Sequence, residues 1–133
     1  MMGNPQRVTI RRQATALCSP DGSATAPFWV EMLVEAAADG ENTAMRASLD
    51  PGTITRWHTH PRGQLLSALS GKGLARRAGG VVEERRPGDA VWFAAGEKHW
   101  HGAGRDSPSS YLGIQANEAG RFVDWHEPVE ALS

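Results

Sequence analysis

Apolar residues along this chain come in short runs broken by turn-forming residues, with almost nothing at the three-to-four-residue spacing of a helix. Phe28 to Ala36, Thr43 to Leu49, Gln64 to Leu69, Val81 to Arg85, Ala90 to Phe93 and Ser110 to Ala116 are rich in Val, Ile, Leu, Trp and Phe, and each reads as a strand. Between them stand Asp39-Gly40, Asp50-Pro51-Gly52, Ser70-Gly71, Ala78-Gly79-Gly80 and Pro87-Gly88-Asp89, pairs and triplets that favour turns. Many short strands at regular spacing predict an all-β sandwich or barrel. Arg7 to Arg12 is expected to form a first strand. The loose stretch Ser19 to Pro27 separates it from the rest, so it could pair with a partner chain and give a strand-exchanged homodimer or higher homo-oligomer. Pro128 to Leu132 is the one segment expected to make a helical turn.

The chain has 133 residues, enough for one domain with a core of its own. The expected division is an N-terminal arm over about 1–27, a barrel over about 28–116 and a tail over 117–133. Lys and Arg number 14 against 15 Asp and Glu, so the net charge is −1. That balance gives no electrostatic reason for a nucleic-acid or membrane partner, and the Arg11-Arg12, Arg76-Arg77 and Arg85-Arg86 doublets read as solvated strand faces. Cys18 is the only cysteine; it has no internal disulfide partner and reads as an incidental thiol in a polar loop. The N-terminal residues lack the apolar core of a secretory signal, and no apolar run reaches the ~20 residues of a membrane span, so a cytoplasmic location is expected.

The candidate chemistry lies in four of the five histidines. In a strand, side chains alternate between faces, so His58 and His60 point the same way, and so do His99 and His101. Imidazole is the commonest ligand for a mid-row transition metal, and a strand pair of them supplies half a coordination sphere. Pro61 and Gly63 allow a turn after His60, so the amide oxygen of Gln64 could reach the same ion, and His99 would complete the protein's share. Trp57 and Trp100 alternate with the histidines and face away from such a site. Trp92 and Phe93 are expected in a buried strand, Met45, Ala47 and Leu49 along the inside of the barrel, and His126 at the surface.

These residues resemble the motifs of the cupin family. The first motif runs Gly52-TITRW-His58-Thr59-His60-PRG-Gln64-LLSALS-Gly71, and the second Gly88-DAVWF-Ala94-Ala95-Gly96-EK-His99. Every anchor matches in spacing; Gln64 stands where the family has glutamate, and Ala94 where it has proline. The resemblance spans about Thr43 to Gln115 and implies a double-stranded β-helix, or jelly-roll barrel, with one divalent transition metal inside. Replacing the carboxylate by a neutral amide makes the site more positive by one charge, which sharpens Lewis acidity and favours an anionic ligand.

HTHPRGQ, PGDAVWFAAGEKHWHGA, YLGIQA and the VDW of the tail also look like the small single-domain cupins that include the manganese-dependent hydroxynitrile lyases. That likeness implies His58, His60, Gln64 and His99 as ligands, with manganese favoured and iron, nickel, cobalt or zinc as alternatives. It implies His101 as the proton-transfer residue and Gln115 as a substrate contact. Tyr111 stands where those lyases carry a histidine facing the pocket. Arg56 replaces a small residue and shares parity with His58 and His60; it would favour a carboxylate-bearing substrate if it faces the metal, and nothing if it lies at the rim. The reading is a small-molecule lyase. A metal-dependent oxygenase and a non-catalytic sensor binding a small anion or sugar acid are the alternatives.

Overall fold

The computed structural model describes residues 8–12, 15–36 and 38–130. Eleven strands follow one another: β1 (Ala16–Cys18), β2 (Trp29–Glu35), β3 (Asn42–Leu49), β4 (His58–Thr59), β5 (Gln64–Gly71), β6 (Gly73–Arg77), β7 (Glu83–Arg85), β8 (Ala90–Phe93), β9 (His99–Ala103), β10 (Ser109–Ala116) and β11 (Asp124–Trp125). They form two antiparallel sheets, ordered β1-β2-β3-β10-β5-β8 and β11-β4-β9-β6-β7. No helix among the described residues is long and apolar enough to cross a membrane.

The alternation of side chains builds the interior. In β10 the odd positions Ser109, Tyr111, Gly113 and Gln115 are buried and the even ones half-buried. Its register sets Tyr111 opposite Ala47 of β3 and Ala68 of β5, so three inward positions fall in one row. Phe28, Ala47, Leu49, Leu66, Ala75, Phe93, Ala103 and Tyr111 form the core cluster between the sheets. Leu66 is fully enclosed there. Leu66→Ala is expected to cost about 2–5 kcal/mol through lost burial and the cavity left behind; urea unfolding of the two proteins measures it, and a change under about 1 kcal/mol would mean the sheets collapse onto the gap.

Six predicted strands coincide with β2, β3, β5, β7, β8 and β10, with ends moved by a few residues. The other five, β1, β4, β6, β9 and β11, lie outside the predicted runs, among them β6, whose Gly-Leu-Ala-Arg-Arg lacks β-branched residues. The expected strand at Arg7 to Arg12 is not formed by residues 8–12, and Arg7 lies outside the described residues. Val8 and Ile10 remain 80% and 60% exposed, so the segment buries no apolar face, and β1 takes the place beside β2. In the tail, residues 128–130 form no helical turn, and 131–133 lie outside the described residues. Trp92 is also corrected. It alternates out of the core and is 61% exposed, while Phe93 beside it is buried.

Candidate metal site

β4 and β9 pair through a single register, His58 opposite His99, and that contact assembles the centre. The two rings lie 4.3 Å apart, centroid to centroid, and His60, one residue past β4, is 5.1 Å from His58 and 5.3 Å from His99. Ligand-capable nitrogens of His58, His60 and His99 all fall within 4.8 Å of one another. The chain then turns at Gly63, whose φ of +82° is unfavourable for other residues; a Cβ there would also meet the Phe93 carbonyl oxygen at 2.7 Å. This turn starts β5 with Gln64 buried and opposite Phe93. The Phe93 ring stacks on His99 at 3.6 Å and 7°, fixing that imidazole from the side.

Backbone carbonyls choose the tautomers. Nδ1 of His58 donates to the Arg56 carbonyl at 2.8 Å, Nδ1 of His60 to Phe122 at 2.7 Å and Nδ1 of His99 to Glu97 at 2.8 Å. With the proton held on Nδ1, each ring presents the Nε2 lone pair that a metal needs. Nε2 of His60 and of His99 and Oε1 of Gln64 are buried without any hydrogen-bond partner in the protein.

The Gln64 amide is oriented by a chain of bonds across β5, β10 and β3. Thr43 Oγ1 donates to the Gln115 backbone carbonyl at 3.2 Å, so its oxygen is free to accept from Gln115 Nε2 at 2.5 Å. Gln115 Oε1 then accepts from Gln64 Nε2 at 2.8 Å, which leaves Gln64 Oε1 as the free end. Gln115 is therefore positioned behind Gln64 and is not among the residues lining the cavity, contrary to its expected contact with substrate. Gln115→Leu should cut metal affinity about 10–100-fold by releasing that amide. Competition with a chromophoric chelator measures it, and unaltered affinity would show that Gln64 keeps its orientation unaided.

Electrostatics point the same way. Burial pushes His99 down to about 3, and burial with the neighbouring His99 and His60 rings holds His58 well below the ordinary imidazole range. His60 is lowered by burial, partly offset by the Phe122 carbonyl and the nearby Gln64 side chain. These are neutral imidazoles with unused lone pairs, buried close together beside an unused amide oxygen. The donor set fits a divalent cation.

His101 is set apart from the converging group. Its backbone is pinned to Thr55 by Thr55 N donating to its carbonyl at 2.9 Å and by its own N–H donating to Thr55 Oγ1 at 3.2 Å. The ring lies 5.1 Å from His58, and its buried Nδ1 has no partner. Burial first, then the closeness of the His58 ring and the positive charge of Arg85, keeps it neutral. Tyr111 meets it edge-on at 5.0 Å, and burial pushes the phenol pKa up.

Above these groups opens a cavity of about 220 Å³. His58, His60, Gln64, His101 and Tyr111 line its polar end; Leu17, Phe28, Val30, Met32, Met45, Phe122, Val123 and Trp125 make the walls apolar. Arg56 is not among the lining residues. β4 spans only His58–Thr59, so strand parity does not extend back to it; its guanidinium instead donates to the His126 carbonyl at 2.5 Å and to Gly22 at 3.5 Å. What Arg56 gives the site is its own carbonyl, under His58. Sequence reasoning missed this carbonyl and those of Glu97 and Phe122, the Thr43–Gln115 chain, and the tail residues that wall the cavity. A carbonyl leaves no mark in the sequence, and the rest depends on pairings far apart along the chain.

The cupin-domain family model matches residues 45–114. Over 82 residues the chain is 52% identical to the (R)-mandelonitrile lyase of Granulicella tundricola, a match covering 62% of this chain and 63% of that relative. The chain thus spans less than two thirds of the relative's length. A cupin-like protein of known structure from Thermotoga maritima superposes with a TM-score of 0.77 at 28% identity, over 91% of this chain and 90% of that one. A polyketide cyclase from Streptomyces resistomycificus superposes with a TM-score of 0.73 over 98% of this chain and 89% of its own; at 20% identity this is a likeness of fold alone. The two-sheet barrel is a double-stranded β-helix.

Proposed function

This chain belongs to the cupin family, and from that premise we propose that it is a metal-dependent lyase that splits hydroxynitriles into a carbonyl compound and cyanide. The observation that carries the reading is the separation of roles at the polar end of the cavity. Three imidazoles and one amide offer converging lone pairs, while a fourth imidazole, His101, lines the same cavity outside that group. The 52% identity to a mandelonitrile lyase supports the choice of reaction.

His58, His60, Gln64 and His99 would hold the ion, manganese being favoured. A divalent cation held there supplies Lewis acidity that stabilises negative charge developing on oxygen or cyanide. His101, neutral and facing the cavity, takes the proton of the substrate hydroxyl. The oxygen lone pair then forms the carbonyl as the carbon–carbon bond breaks, and cyanide leaves with that bond's electron pair. The protonated His101 returns the proton to cyanide, so hydrogen cyanide and an aldehyde or ketone account for every atom. Tyr111, edge-on to His101, limits how that ring can turn. The apolar walls receive the organic substituent and exclude water, so the fitting substrates are hydroxynitriles of aromatic or other apolar aldehydes. With Arg56 outside the cavity, no side chain in it selects a carboxylate directly.

The test is release of benzaldehyde from mandelonitrile, followed by its absorbance. Protein stripped with chelator should lose the activity and recover it with manganese. A metal-replete protein no faster than the uncatalysed reaction would refute the reading.

A further inference from the structure

Arg85 is the only Asp, Glu, Lys or Arg buried among the described residues, at 2% exposure. It points into the barrel from β7, opposite Gly73 of β6, and takes its space from that glycine: a Cβ on Gly73 would lie 2.5 Å from its Nη2. Nε donates to the Leu74 carbonyl at 3.2 Å and Nη2 to the Gly102 carbonyl at 2.9 Å, whereas buried Nη1 has no partner. No carboxylate among the described residues pairs with it; its strand neighbour Glu84 pairs with Lys72 and Arg86 instead. Burying a guanidinium without a counter-charge is costly, and an apolar residue of similar size would fill the space without that cost. The charge therefore acts on its surroundings. Its guanidinium lies 5.4 Å from the centre of the Tyr111 ring, and Tyr111 in turn lies 5.0 Å from His101 in the cavity.

We propose that the buried charge of Arg85, set behind the Tyr111 ring, makes this cavity select anionic over neutral ligands. The inference rests on the reading of the cavity as a metal site and adds a source of selectivity outside the ligand set. A fixed positive charge 5.4 Å behind a ring that lines the cavity, buried and with little screening, changes anion affinity there on the order of tenfold. A neutral ligand of the same ion gains nothing from it.

The experiment is an optical titration of the full chain loaded with cobalt(II), using azide as the anionic probe and imidazole as the neutral one. Wild type, Arg85→Met and Arg85→Lys are compared. Arg85→Met should weaken azide about tenfold and leave imidazole unchanged, and Arg85→Lys should keep the wild-type ratio of the two affinities. A purely structural role would move both probes by the same factor; that result, or unaltered azide affinity in Arg85→Met, would overturn the inference alone. Should Arg85→Met not fold, the neutral Arg85→Gln takes its place, and an unaltered azide-to-imidazole ratio in that variant is equally fatal. Failure of wild type to take up cobalt would overturn the metal reading and this inference with it.

Discussion

His99→Ala is expected to abolish uptake of a divalent metal while leaving the barrel folded. His99 sits at the register contact between β4 and β9, within 4.3 Å of the His58 ring and stacked on Phe93, so its Nε2 cannot be replaced by a neighbouring group. The remaining His58, His60 and Gln64 would hold a cation by one ligand fewer and with a gap in the wall. Folding suffers less. The core cluster loses the stacking of Phe93 on His99 but keeps all its own members, and without metal the buried, unpartnered Nε2 of His99 is itself a cost that the substitution removes. The two effects separate in one measurement. A ligand at a thousand times its dissociation constant stabilises the native state by about 4 kcal/mol, so manganese should raise the thermal midpoint of the wild type by several degrees. His99→Ala should unfold cooperatively at a midpoint that manganese does not move, and elemental analysis should find no bound metal. Stoichiometric metal in His99→Ala would remove His99 from the ligand set.

The contrast between His99 and Arg56 shows what the sequence makes legible. Spacing along one strand needs no long-range information: residues two apart share a face, so the HxH pairs could be read before any pairing was known. The same rule fails at Arg56 because β4 is two residues long and the backbone before it is not extended into the sheet. Strand positions next to strong turns were equally legible; Ala90–Phe93, which follows Pro87-Gly88-Asp89, has the predicted ends. Gln64 could be placed near the histidines from the turn at Gly63, yet the direction of its amide depends on Gln115 and Thr43, the latter pair 72 residues apart in the chain. Arg85 was read as part of a solvated doublet. Its neighbour Arg86 is exposed, and only the pairing of β7 with a glycine in β6 turns Arg85 inward. Local geometry was written in the sequence; orientation across the barrel was not.

His101→Ala should retain full metal occupancy and lose about 10²–10⁴-fold in turnover, the usual worth of a general base. The ring is absent from the group of converging nitrogens, so its removal takes no lone pair from the ion. The bonds that hold this stretch of β9 against Thr55 include a backbone carbonyl and a backbone N–H of residue 101, and both survive the substitution. The loss should therefore fall on the proton transfer. Elemental analysis and the manganese-dependent rise in thermal midpoint should match the wild type while turnover of mandelonitrile collapses and its Michaelis constant changes little, the pattern of an interaction made only as the reaction proceeds. The alternatives yield different patterns. If His101 were a fifth ligand, metal content would fall together with activity. If another cavity group, such as Tyr111, moved the proton, the variant would turn over as fast as the wild type with its metal intact. Either result would take the proton from His101, and only the second would leave the four-ligand site as drawn.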